Sequence, residues 1–485
     1  MFCHAFRVGA TPRPKTYAMR VYFCGMHYTQ RTLLWATTVA LAIVWISCKP
    51  YTEVFPPADE PTSTEQYGTP FQSVPATEDI IMYEVNLRAF SNTGDLQGII
   101  NKLDHLQSLH VNVIWLMPIH PIGAVNSVNS PYSVKDYKAV SSEYGDLATL
   151  RALTDAAHAR GMAVVMDWVA NHTAWDNPWM SNPSWYTQDA NGNVIMPPGT
   201  NWADVADLNF DNNDMRAAMI DAMRYWVLEA NVDGYRCDYA DGVPADFWSE
   251  AIGSLRTIPN RQIIMLAEGD RIDHYASGFD MTFSWDYYTG IKNVFASQPA
   301  FTLNAISSNE YAQVPVGKHK LRFTTNHDQS AWEAAPPTLF GGLDGATAAT
   351  VAMTFMHGVP LIYTGQETGR STITPFFSNS PIDWNANLAM VNNYRAIYSI
   401  YAGSEAARKG TVATYAANDA IIVERVYNGE HLLVVVNVRN TAVSVPMPSA
   451  LLNTAWTEAI TGATEFIGST MSMMPYQYKI LRHIE

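Results

Sequence analysis

Four segments of the chain end an apolar run with side chains that can move protons or attack carbon. They read Asp167-Trp-Val-Ala-Asn171-His172, Gly234-Tyr-Arg236-Cys237-Asp238, Ala267-Glu268-Gly269 and Phe323-Thr-Thr-Asn326-His327-Asp328. If these ends are neighbours in space, Asp238, Glu268 and Asp328 converge on one pocket. Two carboxyl groups so placed can cleave a glycosidic bond: one attacks or steadies the anomeric carbon while the other protonates the departing oxygen, with about 5–5.5 Å between them when configuration is retained. Arg236 and Asp238 are two residues apart and so share one face of a strand, where the guanidinium favours the ionised carboxylate that a nucleophile needs. Glu268, facing other carboxylates, is expected to lean toward the protonated form that a general acid needs.

Taken singly, an acid at a strand end more often caps the following helix or forms a structural ion pair, and a histidine there is more often hydrogen-bonded into the fold. The joint occurrence at successive strand ends reverses that balance. Positioning them requires parallel strands with crossover helices, and the pattern supplies both. Strands are expected at Ile80–Asn86, Val111–Leu116, Ala163–Trp168, Gly234–Asp238, Ile263–Glu268, Phe279–Phe283, Leu321–Thr324 and Pro360–Tyr363. Helices fit Leu96–Leu109 and Leu147–Arg160, the latter stopped by Gly161. The clearest helix follows Asp211, with Met215, Ala218, Met219, Ala222, Trp226 and Val227 at helical spacing and Asp211 to Asp214 offering acceptors at its start.

Eight such units predict a (β/α)8 barrel over 79–403, with a short inserted subdomain at about 171–209 after the third strand. Active groups in such a barrel sit where strands end, which is where these residues fall. Beyond 403 the pattern turns β-rich. Ala420–Tyr427 and His431–Val438 flank Asn428-Gly429 as a hairpin, so 404–485 is read as a C-terminal β-sandwich. The run Asp189-Ala-Asn191-Gly-Asn193 lacks the later glutamate of a calcium loop and is read as a turn.

Composition narrows the partners. Hydrophobic residues make up 48% of the 485 and charged residues 15%, which fits a folded protein with a large core. Acids outnumber Lys and Arg 45 to 30, for a net charge of -15, which disfavours nucleic acid and suits a neutral substrate. Cys3, Cys24, Cys48 and Cys237 are too scattered for a metal cluster, and Cys237, opposite in phase to Arg236 and Asp238, is expected to be a buried free thiol.

At the amino terminus, Arg31 precedes an apolar run from Leu33 to Ile46 closed by Ser47-Cys48. The run is shorter than the roughly 20 residues of a permanent span, so 1–47 is read as a bacterial lipoprotein signal with Cys48 as the lipidated residue and Met26 as a candidate start. Residues 48–78, rich in proline, would form a flexible tether that holds the protein to a membrane of the cell envelope.

Together the four segments resemble the four signature regions of the α-amylase family, glycoside hydrolase family 13, in order and spacing over Ile80 to Tyr401. The resemblance implies Asp238 as nucleophile, Glu268 as general acid/base, and Asp328 as the third carboxylate, which binds sugar hydroxyls and stabilises the transition state. It places His172, Arg236 and His327 around the glucose being cleaved, with Tyr132 stacked beneath it. Asp204-Val-Ala-Asp207-Leu-Asn209 and Gly365-Gln-Glu367 resemble two supporting motifs. Trp202 and Trp384 are left outside the site. The chemistry needs no cofactor, although a structural calcium is a candidate because Asn171 matches a family ligand.

Where many members carry Lys and His three and four residues after the nucleophile, this chain has Asp241 and Gly242. The lysine contact is therefore missing, which bears on the leaving-group side. The expected substrate is an α-1,4-glucan or maltooligosaccharide. An α-glucosidase, a pullulan or cyclodextrin hydrolase and a transglycosylase share the same three carboxylates. A non-catalytic glucan-binding protein is the reading from a different class.

Overall fold

The computed structural model describes residues 66–485; the signal and lipidation readings at 1–48 lie outside the described residues. Eight parallel strands close into a barrel: β1 Met82–Val85, β2 Val113–Leu116, β3 Ala163–Trp168, β4 Gly234–Cys237, β5 Ile264–Ala267, β6 Met281–Phe283, β7 His319–Arg322 and β8 Val359–Tyr363. Closure is made by β1 pairing with β8, Met82 opposite Leu361. The expected strands fall on these eight, with β7 beginning two residues earlier than its apolar run suggested.

Alternation along each strand sorts the side chains into two layers. Met82, Val113, Trp115, Val165, Leu266, Phe283, Leu321 and Leu361 belong to one buried cluster that fills the barrel. Tyr83, Ile114, Val164, Tyr235 and Met265 belong to another, facing the helices. Polar residues enter the interior on the same phase, and Asp167 and Arg236 lie opposite each other in the β3–β4 register. The interior is thus apolar below and charged above.

The helix expected over Leu96–Leu109 is two: α1 Leu96–Ile100 and α2 Leu103–Ser108. Between them Lys102 N donates to Ile99 O at 2.9 Å, a tightened i to i+3 turn that ends the first helix. The helix α3, Leu147–His158, starts at Asp146, whose carboxylate accepts from Thr149 N at 2.7 Å. The longest helix, α4 (Asn213–Glu229), is capped by Asn212, which accepts from Met215 N at 3.0 Å. It buries Met215, Met219, Met223 and Trp226, and the Trp226 indole donates to Tyr137 O at 2.7 Å.

The insertion after β3 holds a two-stranded ribbon, His172–Ala174 against Val205–Asp207. Asp189 in it accepts from the amides of Asn191 and Asn193, as a turn requires. Downstream, Ser404 caps a short helix, Glu405–Lys409, before the sheet begins. Six strands, β9 Thr411–Tyr415, β10 Ala420–Tyr427, β11 Glu430–Asn437, β13 Ala455–Glu458, β14 Thr464–Phe466 and β16 Tyr478–Ile484, form one sheet. It faces a two-stranded sheet of β12 Val443–Pro446 and β15 Thr470–Met473 across Ile422, Leu433, Val445, Trp456 and Met471, a β-sandwich. The hairpin between β10 and β11 turns at Asn428 (φ 47°) and Gly429 (φ 80°), the left-handed pair that this turn demands. Buried Arg425 ties the sandwich to the barrel by donating to Met356 O at 2.7 Å.

Candidate active site

The charged upper layer is organised by one guanidinium. Arg236, wholly buried, places Nη1 2.7 Å from Asp167 Oδ1 and 3.0 Å from Asp238 Oδ1, and Nη2 2.8 Å from Glu268 Oε2. Sequence alternation on β4 explains why it can: Arg236 and Asp238 both project into the barrel while Cys237 packs outward as a buried free thiol. Exposure then separates the acids. The Asp167 side chain is fully buried, whereas Asp238, Glu268 and Asp328 keep 13%, 15% and 37% of theirs open to solvent. Three carboxylates can meet a ligand, and the fourth positions the arginine.

Asp167 is held from the other side by the Trp115 indole and the Tyr132 hydroxyl, each donating to Oδ2 at 3.1 Å. Tyr132 also lies 2.8 Å from His327 Nε2, and its ring stacks on the imidazole at 5.4 Å. His327 Nδ1 meets Glu84 Oε1 at 2.5 Å, and its Nε2 is 3.6 Å from Asp328 Oδ2. Asn326 caps the short helix His327–Trp332 and so sets Asp328 in its first turn. All the expected substrate contacts except His172 are therefore joined in one network. His172 sits beside it, with Asn171 Nδ2 3.3 Å from its Nδ1 and the Trp202 ring 5.5 Å away.

Electrostatics follow from burial and charge count. Burial pushes the Asp238 carboxyl well up from its ordinary range, with Glu268, Asp167 and Asp328 adding to the rise; Arg236 opposes it and does not prevail. Asp167 is raised too, again by burial first. Arg236 does pull Asp238 toward ionisation, as its sequence neighbourhood suggests, but one guanidinium is shared among three acids in a low dielectric and the net direction is upward. Burial disfavours the His327 imidazolium, but Asp328 and Glu84 outweigh it and set its pKa at about 9. His172, buried without an acid partner, is lowered to about 4.

Several site residues were missed by sequence reasoning. Glu84 lies in β1, 243 positions from His327, and only its inward phase hinted at it. Tyr239 adopts a left-handed backbone (φ 42°) immediately after Asp238 and donates its amide to Glu268 Oε2 at 2.9 Å. Its ring meets Trp202 at 5.1 Å, so Trp202 belongs to the rim of the site. Trp384, by contrast, packs against Phe90 and donates to Phe90 O.

Calcium requires six to eight oxygen ligands. The Asn171 amide is turned to His172, and among the described residues no three His, Cys, Asp or Glu side chains gather where they could hold a metal ion.

Known proteins share part of this sequence and most of this fold. The α-amylase catalytic-domain model matches residues 67–192. The crystal structure of an α-amylase from Lactobacillus plantarum superposes with a TM-score of 0.75 at 26% identity, over 84% of this chain and 99% of that one. The chain is thus similar to α-amylases in a stretch of its sequence and in its fold. Alpha-amylase 3 of Dictyoglomus thermophilum is 28% identical over 355 residues, 65% of this chain and 69% of that protein. The probable oligo-1,6-glucosidase 2 of Bacillus subtilis is 31% identical over 199 residues, 33% of this chain and 34% of that protein. These two relatives carry different activity names.

Proposed function

We propose that the protein is a retaining glycoside hydrolase that cleaves α-1,4-glucosidic bonds in starch-type glucans and maltooligosaccharides. The observation that carries this reading is the pair of partly open carboxylates, Asp238 and Glu268, on one buried guanidinium at the ends of adjacent barrel strands, with a third, Asp328, beside His327. In the first step Asp238 attacks the anomeric carbon while Glu268 gives its proton to the departing glycosidic oxygen, leaving a glycosyl ester on Asp238. In the second, Glu268 takes a proton from water, whose oxygen attacks the same carbon and releases Asp238. Asp328 and the imidazolium of His327 hold hydroxyls of the reacting sugar, Tyr132 and His172 line it, and the excess negative charge suits an oxocarbenium-like transition state.

A time course of products from maltoheptaose and soluble starch tests this, with Glu268→Gln as control. A spread of intermediate maltooligosaccharides, absent in the control, is expected for endo-acting hydrolysis. Glucose alone would point to an α-glucosidase, longer products to transglycosylation, and glucan binding without cleavage to a binding protein.

The apolar run Leu33–Ile46 before Ser47-Cys48 further supports lipidation of Cys48 and attachment to a membrane of a bacterial envelope. Cys48→Ser should move the protein from the membrane to the soluble fraction with specific activity unchanged. Unaltered fractionation would contradict the anchor.

A further inference from the structure

We infer that Asp241 and His274 form a positioning pair that fixes the loop bearing Glu268, an inference that rests on the glycosidase reading above. Asp241 stands three residues after Asp238, on the turn that leaves β4. Here the side chain is tied inward. Its Oδ1 lies 2.6 Å from Nε2 of His274, which is wholly buried on the short helix Asp273–Ser277. A carboxylate has no hydrogen to give, so Nε2 carries the proton and donates it. The other ring nitrogen, Nδ1, is buried with no partner, which leaves Asp241 as the polar contact that orients the ring.

The opposite side of Asp241 touches the main chain directly after the acid/base. Asp270 N approaches Asp241 Oδ2 at 3.4 Å. A β-carbon on Gly269 would lie 2.2 Å from Asp241 Oδ1 and 2.9 Å from His274 Nε2, so the loop passes in contact with the pair and admits no side chain there. Arg271 extends the seam by donating to Asp241 O at 2.9 Å while Asp273 holds its other edge. Main-chain bonds complete it: Glu268 N to Cys237 O and Ala240 N to Glu268 O, each at 2.9 Å. The nucleophile loop and the acid/base loop are therefore stitched together, with Asp241–His274 as the side-chain part of the stitch.

A general acid works only within hydrogen-bond reach of the leaving oxygen, and displacement by an ångström costs about 10²-fold. A pair that positions Glu268 must matter most when the leaving group needs a proton. A sugar needs one, and fluoride does not. The test compares kcat/KM, which reports bond cleavage, for maltoheptaose and for α-maltosyl fluoride in full-length Asp241→Ala, His274→Gln and Gly269→Ala, with Glu268→Gln as reference. The expected result is a loss of about 10- to 100-fold on maltoheptaose and less than about threefold on the fluoride, a smaller copy of the Glu268→Gln pattern.

Equal losses on both substrates, or none on either, would overturn the positioning role while a selective Glu268→Gln loss left the glycosidase reading standing. Normal cleavage of maltoheptaose by Glu268→Gln would overturn both. The three variants approach the seam from its three sides, so a folding defect in one leaves the ratio readable in the others.

Discussion

Two buried arginines on the barrel meet opposite surroundings. Arg322 on β7 faces the helices: Nε donates to His357 O at 2.8 Å, Nη2 to Ser307 Oγ at 3.0 Å, and Nη1 to Ser284 Oγ and to Glu310, its one carboxylate partner. Arg236 on β4 faces inward to three carboxylates, while its Nε has no partner and its Nη2 lies close to Glu268 without hydrogen-bond alignment. The first is a balanced, satisfied site. The second carries surplus charge, which destabilises the resting fold and becomes useful when a positive charge develops on a bound sugar. Stability and chemistry are thus assigned to different arginines.

The largest effect should come from removing the surplus. Asp238→Asn and Glu268→Gln are expected to lower kcat/KM on maltoheptaose by about 10²–10⁴-fold with melting temperatures unchanged or higher, since each removes a crowded charge and keeps shape. Calorimetry beside the kinetics checks both halves, and a large fall in melting temperature would break the contrast. Glu310→Gln should do the reverse, costing about 3 kcal/mol of unfolding free energy by leaving Arg322 without its carboxylate, with kcat/KM within about threefold. A matching loss of activity would show that the two sites are not separate.

The smallest effects should appear as pH limbs of stability. His327 has its pKa raised from 6.5 to about 9, so its contribution is full below about 6.5 and is lost as pH rises through 9. His172 is lowered from 6.5 to about 4, so its folded form resists a proton that the unfolded chain takes up, and stability falls as pH drops from 6.5 toward 4. Melting curves across pH should flatten on the alkaline side in His327→Gln and on the acid side in His172→Gln. Exchange of the two limbs would contradict the assigned charges.

Much of this was legible in the chain itself, for stated reasons. Period-two alternation places Arg236 and Asp238 on one face and Cys237 on the other, and Asn428-Gly429 dictates the hairpin register. The strand-end motifs mark the acids because a barrel exposes its functional groups there. What alternation cannot carry is a partner across the sheet. Glu84 reads as one more inward residue until His327 is beside it, and the main-chain amide of Tyr239 has no signal in residue type. The upward shift of Asp238 was missed for a related reason: adjacency in sequence favoured Arg236, whereas burial and the other acids prevail in space. The break between α1 and α2 lies in a continuous apolar pattern that periodicity alone does not divide.

The central claim is that Asp238 and Glu268 act by double displacement, and the anomeric configuration of the first product tests it most directly. Proton NMR during the earliest turnover of maltoheptaose should show the new reducing end as the α-anomer, with the β-anomer appearing only by later mutarotation. A β-anomer formed first would mean direct attack by water, and Asp238 would not be the nucleophile.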